Sequence, residues 1–134
     1  MLTESFEGKI YSRIEILPHE DRARIAETAA REAARELEIV PTPKVRFFCP
    51  AYLGETVWGH IANDGEIHVN ANQSDADVIR TVIHEIRHLW QQQSPKWRDR
   101  SAAIKENDAR LFELAWPRSA IDRDNFRKLM ASNL

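Results

Sequence analysis

Cysteine is almost missing from this chain: Cys49 stands alone, so no intramolecular disulfide can form and nothing in the thiol content points to an oxidising compartment. We read it as a buried structural thiol. Glycine and proline are also scarce, at 4 and 6 of 134 residues, and with no Gly- or Ser-rich stretch there is no linker, low-complexity tract or internal repeat at about 20 to 50 residues. No apolar run approaches the roughly 18 residues needed to cross a bilayer. Glu4 and Glu7 stand where a signal peptide needs an apolar stretch. A cytoplasmic location and no membrane partner are therefore expected. An excess of charge of one sign is missing too, since 19 Lys and Arg against 21 Asp and Glu leave a net −2. Without a broad positive field, non-specific nucleic-acid binding is not expected.

What is present suffices for one domain: 134 residues, 43% of them hydrophobic, can enclose one core. In residues 1–17 two periods compete. Phe6, Ile10, Ile14 and Leu17 fit a helical stripe, Ile10, Ser12, Ile14 and Ile16 fit strand alternation, and we favour helix. From His19 to Leu37 the spacing of Ile25, Ala29, Ala33 and Leu37 predicts an amphipathic helix that Pro41 and Pro43 keep from continuing. Val45 to Phe48 is β-prone. Glu55 to Ala62 and Glu66 to Ala71, joined by Asn63-Asp64-Gly65, read as two strands and a tight turn. Ile67, Val69 and Ala71 alternate with Glu66, His68 and Asn70, which predicts a small sheet with one polar face. Ser74 is a natural N-cap, followed by Asp75 and Asp77 in the first turn, for a helix running to Gln93. Further helices are expected from Ser101 to Trp116 and from Asp122 to Met130. The order describes an α+β domain.

Chemistry concentrates in the helix from Ser74, at His84-Glu85-Ile86-Arg87-His88. Residues i and i+4 stack on one helical face, so two imidazoles can share one metal ion, and the Glu beside the first can reach the water that a zinc ion activates. At about 100° per residue, Val78, Ile79, Val82, Ile83, Ile86, Leu89 and Trp90 gather on one side and Thr81, His84, His88 and Gln91 on the other. The histidines are thus expected on a face that does not pack. Catalytic zinc usually takes three protein ligands. No histidine follows His88, and Gln91 and Ser94 stand where a metzincin has Gly and His, so a downstream third ligand must be a carboxylate. Asp99, Glu106, Asp108, Glu113, Asp122 and Asp124 are the candidates, those on the following helix being best placed.

Glu106-Asn107-Asp108-Ala109-Arg110-Leu111-Phe112-Glu113-Leu114-Ala115-Trp116-Pro117 resembles the Glu-x-x-Ala-Asn/Asp-x-Phe-Ala segment that follows His-Glu-x-x-His in gluzincin-type metallopeptidases, most compactly in the ImmA/IrrE-like proteins. The likeness covers residues 66–117. It implies a zincin-like fold, a small mainly antiparallel sheet against an active-site helix, and a zinc-dependent peptidase acting on a protein substrate such as a transcriptional repressor. It makes His84, His88 and Glu106 the zinc ligands and Glu85 the general base. Arg110 departs from the pattern, because a cation cannot accept a proton from the imidazole that Asn or Asp supports at that position. Either the helix is rotated, Asp108 takes that role, or the site is not a standard one. Asp108 falls within an apolar face and Glu106 at its edge, which favours Glu106 as ligand and leaves Asp108 as its alternative.

Tyr52, His60, His68 and Arg110 are the polar residues able to steady a developing oxyanion. The strand bearing His68 is a candidate to lie beside the cleft and pair with an extended substrate. Trp58, Trp90, Trp97 and Trp116 are read as core or helix contacts, and Lys96 to Arg100 as a solvated connection. Two other readings are a zinc-binding regulatory module with little hydrolysis, motivated by Arg110, and a helical protein in which the motif is accidental.

Overall fold

Capping residues and prolines divide the chain into elements, of which three helices and three strands stand where its periodicities anticipate them. A computed structural model describes residues 13–50 and 57–116. The elements are β1 (Arg13–Ile16), α1 (Glu20–Glu36), β2 (Val45–Pro50), β3 (Gly59–Ile61), β4 (Ile67–Asn70), α2 (Asp75–Gln93), α3 (Pro95–Arg98) and α4 (Ala102–Ala115), an α+β fold. None of the described helices is long and apolar enough to cross a membrane. The helix expected from Asp122 to Met130 lies outside the described residues, as does Tyr52.

The helix expected within residues 1–17 is a strand where that stretch is described. β1 pairs antiparallel with β2, Ile14 opposite Cys49 and Ile16 opposite Phe47. A short segment that satisfies both periods is decided by the partner available to it, and β2 offers a free edge.

The sheet order is β1-β2-β4-β3, with β2 and β4 parallel and both flanking pairs antiparallel. β4 is interior and β3 is the edge. Gly65, at φ 88, closes the turn between them, where its N–H bonds Ala62 O at 2.9 Å. Both faces of β4 are buried, which corrects the expected polar face: Ile67 and Val69 join the helical core, while His68 is 8% and Asn70 2% exposed. Phe48 of β2 is buried beside them, and the His60 and His68 rings meet edge to face at 5.0 Å. Alternation identifies the face that packs on helices; it does not leave the other face in water.

α1 and α4 both pack on α2. The buried face of α1 is Ala26, Ala29, Ala30, Ala33 and Ala34, with the larger Ile25 only half-buried. Small side chains let the two helix backbones approach closely, so size overrides hydrophobicity in setting which stripe faces in. Ser74 caps α2 as expected, its hydroxyl accepting from Asp77 N–H at 3.2 Å. Val78, Val82, Ile83, Ile86 and Leu89 form the core face of α2.

Candidate metal centre

The periodicity of α2 sends His84 and His88 to one side, one turn apart, and α4 runs across that side. The expectation that this face does not pack is therefore corrected: Gln91, on the same stripe, is fully buried under α4. α4 presents Glu106, Arg110 and Glu113 to the cleft at intervals of four and three, a single helical face.

Three donor groups meet. His84 Nε2 lies 3.0 Å from Glu106 Oε1, His88 Nε2 lies 2.9 Å from Glu106 Oε2, and the two Nε2 atoms are 3.1 Å apart. Among the described residues these three form the one His/Cys/Asp/Glu group close enough to hold a metal ion. Asp108, the alternative ligand, does not join them.

The outer ring nitrogens are already committed. Glu113 Oε1 lies 2.8 Å from His84 Nδ1, and a carboxylate can only accept there, so Nδ1 carries the proton. Gln91 Oε1 lies 2.8 Å from His88 Nδ1, while Gln91 Nε2 donates to Lys105 O at 2.9 Å and to Asp108 Oδ2 at 2.8 Å. That orients the amide oxygen to the ring and puts the His88 proton on Nδ1 as well. Both Nε2 lone pairs then face each other and a carboxylate, an array of acceptors that a cation satisfies. Donors around one tetrahedral zinc at 2.0–2.2 Å stand about 3.3 Å apart, so the residues fit the ion.

The Glu106 carboxyl is pulled two ways. Burial works to raise it, but His84 and His88 outweigh burial and hold it below its ordinary value. Asp108 behaves likewise: burial works to raise it, and the hydrogen bonds from Arg87 and Gln91 hold it below the usual carboxylate range.

Glu113 and Gln91 supply the imidazole support. Asp108 was expected to accept from an imidazole directly; it reaches His88 only through Gln91. The sequence offers Glu113 as a ligand candidate, and its place two turns after Glu106 on one face is a signal that it can reach the same histidine pair. The Arg110 departure is thereby accounted for: the acceptor sits one turn further along, at Glu113, and the Arg110 guanidinium faces the cleft, 3.5 Å from Glu106 Oε1.

A cleft of about 690 Å³ opens beside the cluster, and Glu85, Thr81 and Arg80 of α2, Gln73, and Val57, Trp58 and Gly59 at the start of β3 also line it. A Cβ at Gly59 would crowd this wall, standing 2.5 Å from Thr81 Cγ2 and 3.1 Å from the His68 carbonyl oxygen. Gln73 fastens this wall: its amide donates to Trp58 O at 3.1 Å, and its oxygen accepts from the Thr81 hydroxyl at 2.9 Å. Trp58 is 53% exposed at the cleft, which corrects its reading as core. The strand beside the cleft is β3, not the His68 strand, which is enclosed between β2 and β3. Of the expected oxyanion donors, Arg110 lines the cleft, whereas His60 and His68 do not. Comparison with family models, with curated proteins and with solved structures finds no match to this chain.

Proposed function

We propose that this chain is a zinc-dependent peptidase that hydrolyses a peptide bond in a protein substrate. The observation that carries the reading is the convergence of His84, His88 and Glu106 on one point, with a further carboxylate, Glu85, on the cleft wall and outside the ligand set. Zinc bound there would polarise a carbonyl as a Lewis acid and acidify water towards a pKa of about 7.

The chain's own residues have separate tasks. His84, His88 and Glu106 hold the ion. Glu85 takes a proton from the attacking water and returns it to the leaving amine. Arg110 donates a hydrogen bond to the oxyanion that develops on the substrate carbonyl. β3 supplies the docking edge: Asn70 N–H bonds Trp58 O and Ala62 N–H bonds Glu66 O, so the alternate residues Gly59 and Ile61 turn their backbone groups away from β4, towards an extended substrate. Through the resemblance of residues 66–117 to the ImmA/IrrE-like proteins, a transcriptional repressor is the first substrate to try.

The test is metal content followed by one substitution. Purified protein should carry close to one zinc per chain, removable by a strong chelator, and Glu85→Gln should keep the zinc and lose hydrolysis. Zinc without hydrolysis in the wild type, against a panel of protein substrates, would favour the binding-module reading. No zinc after reconstitution would end both.

A further inference from the structure

His88 is supported differently from His84. Its Nδ1 meets a neutral, fully buried amide rather than a carboxylate, and that amide is itself held at its other end. Gln91 Nε2 is fixed by Lys105 O and Asp108 Oδ2. Asp108 is in turn gripped by a two-point contact from Arg87, at 2.7 Å from Nε and 3.2 Å from Nη2. The Arg87 guanidinium lies over two rings, 4.0 Å from the centre of Trp90 and 4.8 Å from that of Phe112. Arg87 directly precedes His88 in the chain, but this arrangement folds its cation away from the cleft and into the seam between α2 and α4.

An amide can present either its oxygen or its nitrogen to a ring. If Gln91 turned over, its nitrogen would donate to His88 Nδ1, the ring proton would move to Nε2, and the lone pair that faces the cleft would be lost. Two acceptors in a row, Lys105 O and Asp108, exclude that orientation. Asp108 can serve as an acceptor here because the guanidinium beside it offsets the cost of a half-buried carboxylate.

We propose that Arg87, Asp108 and Gln91 are positioning residues that fix the His88 proton on Nδ1, so that metal affinity is set in part by an ion pair that never touches the metal. This rests on the reading of His84, His88 and Glu106 as a metal centre. It assigns a task to the charged residue inside the motif and to the carboxylate that does not ligate.

The test measures zinc affinity by competition with a chelator, in full-length protein, for Gln91→Leu, Asp108→Asn, the double variant and wild type. Thermal unfolding of the zinc-free proteins runs in parallel. Gln91→Leu should weaken zinc about 10- to 100-fold, the range for residues that orient a ligand without touching the ion, and Asp108→Asn should weaken it less. In the double variant Asp108→Asn should add nothing further, because its effect passes through Gln91. Cobalt(II) in place of zinc supplies a second readout, with the visible absorption of the Gln91→Leu site altered from wild type. Additive losses, or losses that merely follow the drop in melting temperature, would overturn the positioning role and leave the metal centre standing. Failure of the wild type to bind either metal would remove the centre and the proposal together.

Discussion

The two flanks of α2 are built on opposite principles. Towards β3, Glu85 and Thr81 face a cleft whose wall is a glycine, an exposed tryptophan and backbone, secured by Gln73 and Asn70. Towards α4, the groups that support the histidines are held in a connected set of hydrogen bonds: Glu113 on His84, Gln91 on His88 and Asp108, and Asp108 on Arg87. One flank leaves an open cleft and the other removes freedom from the two imidazoles. A helix can serve both because residues 84 and 85 stand about 100° apart on it, so adjacent positions answer to different neighbours.

That division predicts effects of different kinds on the two flanks. On the open flank, Glu85→Gln should lower turnover of an identified substrate by about 10²- to 10⁴-fold with zinc content unchanged; equal cleavage by wild type and variant would assign the activity to something else. On the closed flank, Glu106→Ala should weaken zinc as much as His84→Ala, beyond the roughly 10- to 100-fold expected for a residue that only orients a ligand. A chelator titration in which Asp108→Ala does more damage would move the ligand to Asp108. Gly59→Val should destabilise the fold by about 1–3 kcal/mol, because Thr81 already occupies the space a Cβ needs; an unchanged denaturant midpoint would mean that β3 does not press on α2.

Smaller effects sharpen the contrast. Glu113→Gln should cost about 10- to 100-fold in zinc affinity, and Arg110→Gln should leave affinity within a few-fold of wild type while lowering turnover. His68 lies away from both flanks and serves as the control for the protein's acid response. Burial holds its pKa below the ordinary 6.5, against the opposing pull of Glu66. The unfolded chain therefore binds a proton more readily than the folded one, so this contribution to stability is complete above 6.5 and is lost as pH falls below it. Unfolding followed between neutral and mildly acid pH should show a shallower acid loss in His68→Asn than in wild type, and identical slopes would refute it.

Much of this organisation is legible in the residues themselves. The Ser74 cap, the acidic first turn and the apolar face of α2 are local, and the i, i+4 stacking of His84 and His88 follows from helical geometry alone. Glu106 is legible as a partner for that pair because histidines run out after His88, which leaves only carboxylates downstream. Less was legible where strength of contact depends on what lies opposite. Residues 13–16 took the strand period because β2 was there to pair with. Ile25, the most apolar residue of its helix, was set half out because the neighbouring helix needed alanines.

The sequence by itself determined α1, α2, α4 and the stacking of His84 and His88, since each depends on neighbours within one or two turns along the chain. Only the tertiary structure decided that α4 crosses the histidine face, that Glu113 and Gln91 rather than Asp108 or residue 110 support the two rings, and that β3 rather than β4 borders the cleft. These are choices between groups of the same chemical type, all able to accept a hydrogen bond or offer a strand edge. What separates them is the distance and angle between elements far apart in the chain, set by how the alanine face of α1 and the apolar face of α2 close on the sheet.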